Sequence, residues 1–343
     1  MLKIFNEKVT ICLLSYNHSK VINHCLDSLI NQSYRNFEII IFDDCSTDNS
    51  VEIINQYIKK YRFIKLFKNK QKKSPVYNYN KCLKKSSKYG KYFCLFHSDD
   101  VYHRDILLNQ VNVMKQDDNM IAAVTDAHLI DINNKVIGSV KIPKEARKKL
   151  IKYNAYMNLL FKYGFFLMMP SIIFRTSLIK KRSIQFNFSR YGWASDVRFF
   201  LDMLKFNDIG FINKKLLYYR ISPLSTSQKL RFSRMEESDL FKVLNSIIFN
   251  KKDRIDFEKI DLIKKKNFLL MYDRSLVNIN RILNNKKTMK KIFILKNISL
   301  AFDNLINLKK FLIAVTIKVI SIFFFRKDII NFLLKLNHLY SIK

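Results

Sequence analysis

Three short polar clusters in this chain follow apolar runs and carry the groups that phosphate chemistry needs. His97-Ser98-Asp99-Asp100 follows residues 92–96, Asp43-Asp44-Cys45-Ser46-Thr47-Asp48 follows residues 37–42, and Ser15-Tyr16-Asn17 follows residues 9–14. Two adjacent carboxylates beside an imidazole can hold a divalent metal, and the metal can hold a phosphate-bearing ligand. A fourth cluster, Trp193-Ala194-Ser195-Asp196, leads into a helical pattern, and its carboxylate suits a proton acceptor. The tetrad at 97–100 also has a plainer reading, in which Ser98 or Asp99 caps a helix running through Ile106, Leu107 and Leu108.

The elements that must position these clusters are legible from periodicity. A continuous apolar run at 9–14, a further apolar run at 92–96 and apolar-rich segments at 37–42 and 64–67 read as strands, and helical spacing fills the intervals between them. Four strand–helix alternations in about a hundred residues predict parallel βαβ units with right-handed crossovers. In such a sheet the loops after the strands share one edge, so the clusters at 15–17, 43–48 and 97–100 converge there. Further on, the pattern predicts a strand at 120–125, a hairpin at 129–140 turning at Asn133-Asn134, and a helix at 153–162. It then predicts a strand at 170–174, a helix at 197–205 and strand-like material at 209–220.

Composition narrows the function. Five glycines in 343 residues are widely spaced, which excludes a G-x-G-x-x-G turn and a Walker-type phosphate loop. A Rossmann dehydrogenase and a P-loop nucleotidase are therefore poor fits. The net charge of +34 attracts polyanions, although a lysine-biased composition inflates it without any binding role. The basic residues are scattered and no nucleic-acid motif accompanies them, so nucleic acid is not an expected partner. Five cysteines, all before residue 95 and without a C-x-x-C pair, read as buried reduced thiols of an intracellular protein. The first ten residues hold no long apolar segment behind a basic start, so no signal peptide is expected.

Beyond residue 227 glycine and proline vanish and helical patterns take over. Residues 281–343 hold thirteen Lys and Arg but only two acids, Asp303 and Asp328. Within them, the apolar run 311–325 is flanked by Lys309-Lys310 and Arg326-Lys327. Asn307, Lys310, Ala314, Lys318 and Ser321 form a narrow, weakly polar stripe along it. The run falls short of the roughly 20 residues that cross a bilayer, and Lys318 opposes insertion, so a helix lying in the membrane interface is expected. The competing expectation is a helical hairpin packed on the rest of the chain.

The order and spacing of the four clusters resemble the family-2 glycosyltransferases of GT-A fold. That family ends its first strand in a small residue, Tyr and Asn, follows its second with a run like Asp-Asp-Gly-Ser-Thr-Asp, and places a D-x-D metal motif and a Glu-Asp pair further on. The likeness covers about residues 7–225. It implies a GT-A, Rossmann-like α/β domain over 1–225, with a mostly parallel sheet flanked by helices. The remaining residues, 226–343, form the helical, basic region for which membrane association is expected above. The implied activity is inverting transfer from a nucleotide-diphosphate sugar, first of all a UDP-sugar, to a saccharide or lipid-linked saccharide acceptor. Cell-surface polysaccharide biosynthesis on the inner face of an anionic membrane is the implied setting.

Residues carry over one by one. Ser15, Tyr16 and Asn17 would line the nucleotide pocket. Asp44, with Asp43, would bind base or ribose, and Asn80 stands where the family keeps an asparagine near the donor. Asp99 would hold Mg²⁺ or Mn²⁺ at the donor diphosphate, with His97 as a second metal ligand. Asp196 would be the general base. Trp193 and Arg220 would face the acceptor or diphosphate, although Arg220 reads equally as a structural ion pair. The chain departs from the family pattern at Cys45 for glycine, at His97 for the first acid of D-x-D, and at Ser195 for the acid before Asp196. Those departures leave room for an inactive nucleotide-sugar-binding relative.

Overall fold

The computed structural model describes residues 7–86, 90–221, 235–249, 258–283 and 305–323. Its frame is four strands, Val9–Ser15 (β1), Phe37–Asp43 (β2), Ile64–Lys68 (β3) and Tyr92–His97 (β4). They are joined through the helices Ile22–Ile30 (α1), Ser50–Lys60 (α2) and Pro75–Ser86 (α3). Then come Val101–Tyr102 (β5), Ile106–Met114 (α4), Ala122–Ile130 (β6), Val136–Ser139 (β7), Leu150–Ile151 (β8) and Tyr153–Tyr163 (α5). Ile172–Arg175 (β9), Thr176–Lys181 (α6), Phe188–Tyr191 (α7), Ser195–Leu204 (α8) and Ile209–Arg220 (β10) follow. Leu240–Phe249 (α9), Lys259–Leu283 (α10) and Leu305–Phe323 (α11) are the described C-terminal helices.

The strands form one sheet in the order β3-β2-β1-β4-β9-β6-β10-β5, with β7 on β6 and β8 on β10. β1 pairs in parallel with β2 and β4, β2 with β3, and β6 with β10. β9 is antiparallel to both β4 and β6 and so sits reversed inside a mostly parallel sheet. The inner strands are near-continuous apolar because both faces are covered: Ile11, Cys12, Leu13, Ile39, Ile40 and Ile41 are all fully buried. α1 covers one face with Ile22, Cys25, Leu26 and Leu29, and α4 adds Ile106, Leu107, Val111 and Met114. Each such side chain contributes about 1.5–3 kcal/mol of burial. Elsewhere in the sheet's surroundings Phe174 stacks on Phe93 at 4.9 Å and meets Phe199 edge-on at 5.8 Å.

Register sets the candidate site. Ser15 is opposite Asp43 across β1 and β2, and Leu14 is opposite His97 across β1 and β4, so three polar loops leave the same sheet edge together. The tetrad 97–100 does not cap a helix. β5 intervenes, and α4 starts only at Ile106 after Asp105. β10 explains how the tetrad is held. Its pairing with β6 shifts register between Ile212 and Lys215 and again between Lys215 and Leu217. Such a bulge bends a strand, and here the part beyond it pairs with β5 directly after the tetrad, Leu217 with Tyr102 and Tyr218 with Val101.

Contacts divide the chain into two units that interleave in sequence. The first comprises Met1–Tyr156, Phe166–Ser189 and Ser195–Ile221; the second comprises Met157–Phe165, Arg190–Ala194 and Ser222–Lys343. In the second unit α11 lies on α10, with Phe311 and Ala314 packed among Phe268 and Met271. Asn307 and Ile317 are buried on the same side. Lys310 reaches the Lys162 carbonyl at 3.4 Å, and burial lowers its pKa to about 8. The expected polar stripe is thus partly turned inward, while Lys318 stays exposed. No helix among the described residues is long and apolar enough to cross a membrane. The start of the chain at 1–6, Asp303, and the flank Arg326-Lys327 with Asp328 lie outside the described residues.

Candidate active site

The first two loops are laced together before any ligand is considered. Asn17 adopts φ 53°, a left-handed conformation that Asn tolerates better than most residues. Its amide donates to Ser46 Oγ at 3.0 Å, and its side-chain oxygen accepts from the Thr47 amide at 2.8 Å. The amides of His18 and Ser19 donate to Ser50 Oγ and Asp48 Oδ2, both at 2.9 Å. Asp48 also accepts from the Ser50 amide at 3.0 Å, one of the first donors of α2. Against a burial cost, bonds from Ser50 and Ser19 hold the Asp48 carboxyl down at about 2.

The two acids of the second cluster have different employment. Asp43 is fully buried and accepts from the Ser46 amide at 2.9 Å, so it shapes the loop. Asp44 is oriented through a single oxygen: Oδ1 accepts from Asn69 Nδ2 and from the Lys73 amide, both at 2.8 Å. Asn69 is saturated in turn, donating to Asn78 Oδ1 at 2.8 Å and accepting from Lys81 Nζ at 2.7 Å. Cys45 takes φ 66°, so the loop uses the left-handed conformation without the usual glycine. Beside this network lies an open cavity of about 520 Å³ lined by Asn69, Tyr77, Lys68, Lys70, Lys73 and Lys81. Its size lies within the range of small-ligand pockets. Close by, Lys72 Nζ stands 4.0 Å over the Tyr16 ring.

The tetrad gathers the metal-ligating types. One ligand atom each from His97, Asp99 and Asp100 fall within 4.8 Å of one another. Asp100 is buried, accepts from the Arg220 amide through Oδ1 at 2.8 Å, and leaves Oδ2 without a hydrogen-bond partner among the described residues. Burial and then the neighbouring Asp99 push the Asp100 carboxyl well above the usual range. Burial lowers His97, which keeps its imidazole neutral and able to ligate. His97 Nε2 lies 2.8 Å from the Tyr79 hydroxyl. If Nε2–H is the donor, Nδ1 keeps its lone pair, the arrangement typical of a ligating histidine supported from behind. A buried, unmatched carboxylate oxygen beside a second carboxylate and a neutral imidazole fits a divalent cation, and the nitrogen donor suits Mn²⁺ better than Mg²⁺.

Asp196 lies in the first turn of α8 and is half-buried. Desolvation raises its pKa to about 7 although the Val197 amide, donating to Oδ1 at 2.7 Å, works the other way. Its charge bears on the phenols of the half-buried Tyr79 and the buried Tyr156, and Tyr79 also feels Asp99. The Tyr79 ring stacks on Phe186 at 4.8 Å, and Phe186 stacks on Phe199 of α8 at 4.0 Å. One aromatic column thus runs from the tetrad to the helix that carries Asp196.

Several sequence expectations change position. Arg220, expected at the acceptor or diphosphate or in a structural ion pair, is 2% exposed, and its guanidinium donates to the carbonyls of Asp99 and Asp131 and to Asn134 Oδ1. It clamps the tetrad to the β6–β7 turn. Asn80 pairs with the backbone of Phe186, donating to its carbonyl at 2.9 Å and accepting from its amide at 3.0 Å. Asn78, two residues earlier, is the asparagine that reaches the Asp44 network. Ser15 is buried, with Oγ lacking a partner among the described residues. Trp193 belongs to the second unit, where it is 46% exposed and its amide donates to Asp239 at 2.8 Å.

Two residues beside the tetrad escaped the sequence argument. His18 places Nδ1 2.7 Å from Ser98 Oγ and Nε2 3.9 Å from Asp99 Oδ2. Its signal was adjacency to Ser15-Tyr16-Asn17. Tyr79 had only its place before Asn80, because nothing local reveals a partner eighteen residues away.

Comparison with known proteins closes the identification. The profile of glycosyl transferase family 2 matches residues 10–181. The chain is 32% identical over 182 residues to a poly(ribitol-phosphate) beta-glucosyltransferase of Bacillus spizizenii, covering 52% of this chain and 27% of that protein. In fold it resembles S. aureus TarS 1–349 in complex with UDP-GlcNAc, with a TM-score of 0.57, 20% identity, and coverage of 90% of this chain and 79% of TarS 1–349. It also resembles the mannosyltransferase PcManGT from Pyrobaculum calidifontis in complex with GDP-Man and Mn²⁺, with a TM-score of 0.58, 14% identity, and coverage of 93% and 88%. The strand-end clusters, the reversed strand within a mostly parallel sheet and the family profile lead to one assignment: the chain belongs to glycosyl transferase family 2 and is a glycosyltransferase of GT-A fold.

Proposed function

We propose that this glycosyltransferase moves a sugar from a nucleotide-diphosphate donor to a saccharide or lipid-linked saccharide acceptor, with inversion, in cell-surface polysaccharide biosynthesis. The observation that carries this reading is that the loops bearing Asp44 and the 97–100 tetrad leave one sheet edge together, while Asp99 and Asp196 both bear on Tyr79 and Asp196 is raised to about 7. A UDP-sugar is the first candidate donor, supported by the UDP-GlcNAc bound in a protein of like fold. The relative that acts on poly(ribitol phosphate) supports a surface-polymer acceptor.

In this reading the nucleoside enters the cavity lined by Asn69, Lys73 and Tyr77, and Asp44, Tyr16 and Asn17 bind it from the neighbouring loops. Asp99, Asp100 and His97 would hold Mg²⁺ or Mn²⁺, which when bound supplies positive charge against the leaving diphosphate. Asp196 accepts the proton of the acceptor hydroxyl as its oxygen attacks the anomeric carbon. The bond from that carbon to the diphosphate oxygen breaks, and displacement from the opposite face inverts the centre. A carboxylate with a pKa near the working pH is suited to that task. Arg220 positions the tetrad rather than touching substrate. We read residues 1–225 as the transfer domain and 226–343 as the part that meets the inner, anionic face of a membrane, the protein being cytoplasmic and peripheral there.

A thermal-shift screen of nucleotide sugars with Mn²⁺, followed by product detection, tests the reading. The wild type should gain stability with at least one donor and transfer its sugar. Asp196→Asn should keep that shift and lose transfer by about 10²–10⁴-fold. A donor shift without turnover in the wild type would instead mark an inactive binding relative, and full turnover in Asp196→Asn would remove the assigned base.

A further inference from the structure

We infer that the outward face of α11 is a docking surface for an anionic lipid membrane. The inference rests on the membrane reading above and names the surface that would do the work.

The observation is a helix packed against its polarity. Over Leu305–Phe323 the most polar stretch of surface contains Asn307 and Lys310, and a helix facing water would turn these outward. Here Asn307 is buried with Phe311, Ala314 and Ile317, and Lys310 points its ammonium at a backbone carbonyl of Lys162. At 3.6 residues per turn, Leu312, Thr316 and Val319 fall on the opposite side. Leu312 is 54% exposed and Val319 47%. A single exposed leucine needs no explanation. An apolar side left outside while an amide and an ammonium are taken inside does.

Charge selects the occupant. α11 carries Lys309, Lys310 and Lys318 and no acid, Lys309 and Lys318 are exposed, and the chain as a whole carries +34. Lys309 lies on the outward side with Thr316, and Lys318, although on the stripe with Asn307 and Ala314, is exposed as well. Two copies of so basic a helix repel each other, whereas anionic headgroups attract it while the leucine and valine enter the acyl boundary. Because the helix is too polar to cross, it lies along the surface with its axis in the membrane plane.

The test uses the full chain and vesicles of phosphatidylcholine alone or mixed two to one with phosphatidylserine, read by flotation. The wild type should float with the mixed vesicles and much less with the neutral ones. Leu312→Glu combined with Val319→Glu should lower binding to the mixed vesicles by about tenfold or more, with thermal unfolding and the donor-induced shift unchanged. Thr316→Leu, on the same side, should tighten binding, and it gives a reading even if the double variant folds poorly. If the wild type binds and neither change alters binding, the surface is wrong while the membrane reading stands. If the wild type binds neither vesicle, the membrane reading fails and takes this surface with it. A wild-type dimer that the double variant converts to monomer, without lipid binding, would assign the face to a second copy.

Discussion

At the scale of single residues, burial shifts the protonation of Asp196, Asp100 and His97. Asp196 is the case with the clearest consequence. Its carboxyl sits at about 7 in the folded chain against an ordinary 3.8, so the native state holds a proton that the unfolded chain has released over that range. Stability from this residue therefore falls as pH rises from about 4 to about 7, and Asp196→Asn should gain on the wild type in melting temperature over the same interval. Activity runs the opposite way. The ionised base accumulates above neutrality, so kcat/KM should rise with pH along a limb of apparent pKa about 7. A profile flat through the neutral range would remove Asp196 from the proton transfer. Tyr79→Phe removes the hydroxyl 2.8 Å from His97 Nε2 and should weaken Mn²⁺ binding by about 10–100-fold, read directly by metal titration rather than by turnover. Unchanged Mn²⁺ affinity would separate His97 from the metal. Asp44, Asp99 and Asp196 were legible in the sequence because each stands where a regular element begins or ends. His18, Asn69 and Tyr79 were not, because their partners lie up to 80 residues away in sequence and only the fold brings them together.

At the scale of elements, strands buried on both faces announce themselves. β1, β2 and β4 were readable as apolar-rich runs. The place of β9 between β4 and β6 was not, since four residues at Ile172–Arg175 fix neither neighbour nor direction. β5 has two residues, too few for any periodicity, yet it ties the tetrad to β10. Gly90 marks how tightly β4 is seated. A methyl group there would come 2.7 Å from the Tyr92 carbonyl and 2.8 Å from that of Lys8, backbone atoms that cannot swing aside. Gly90→Ala should therefore cost about 1–3 kcal/mol in urea unfolding, and β4 should shift at its entry. A variant as stable as the wild type would mean that this strand entry relaxes freely.

At the scale of the whole molecule, composition said more about what the protein is not than about how it is divided. Five scattered glycines excluded glycine-loop phosphate binding, and phosphate chemistry was left to carboxylates at strand ends. The two contact units do not follow a single cut in sequence: Met157–Phe165 and Arg190–Ala194 group with the C-terminal helices. A composition shift finds where glycine stops, but it cannot find short segments borrowed from an earlier part of the chain. The charge of +34 acts at this scale as well. The screening length falls from about 10 Å at 0.1 M salt to about 3 Å at 1 M, so flotation with phosphatidylserine vesicles should weaken steeply with salt. Binding insensitive to salt would assign adhesion to the apolar side alone.

The backbone at Cys45 gives the protein a use of another kind. Of its five free thiols, Cys12, Cys25, Cys82 and Cys94 are buried, and Cys45 alone is partly open to solvent. It stands next to Asp44, at a left-handed position in the second loop. The natural sequence therefore contains a single practical attachment point for a thiol-reactive fluorophore, next to the Asp44 at which we propose the nucleotide binds. If the proposed donor site is right, labelling kinetics and emission at that point should change when donor is added, with no cysteine to add and none to remove.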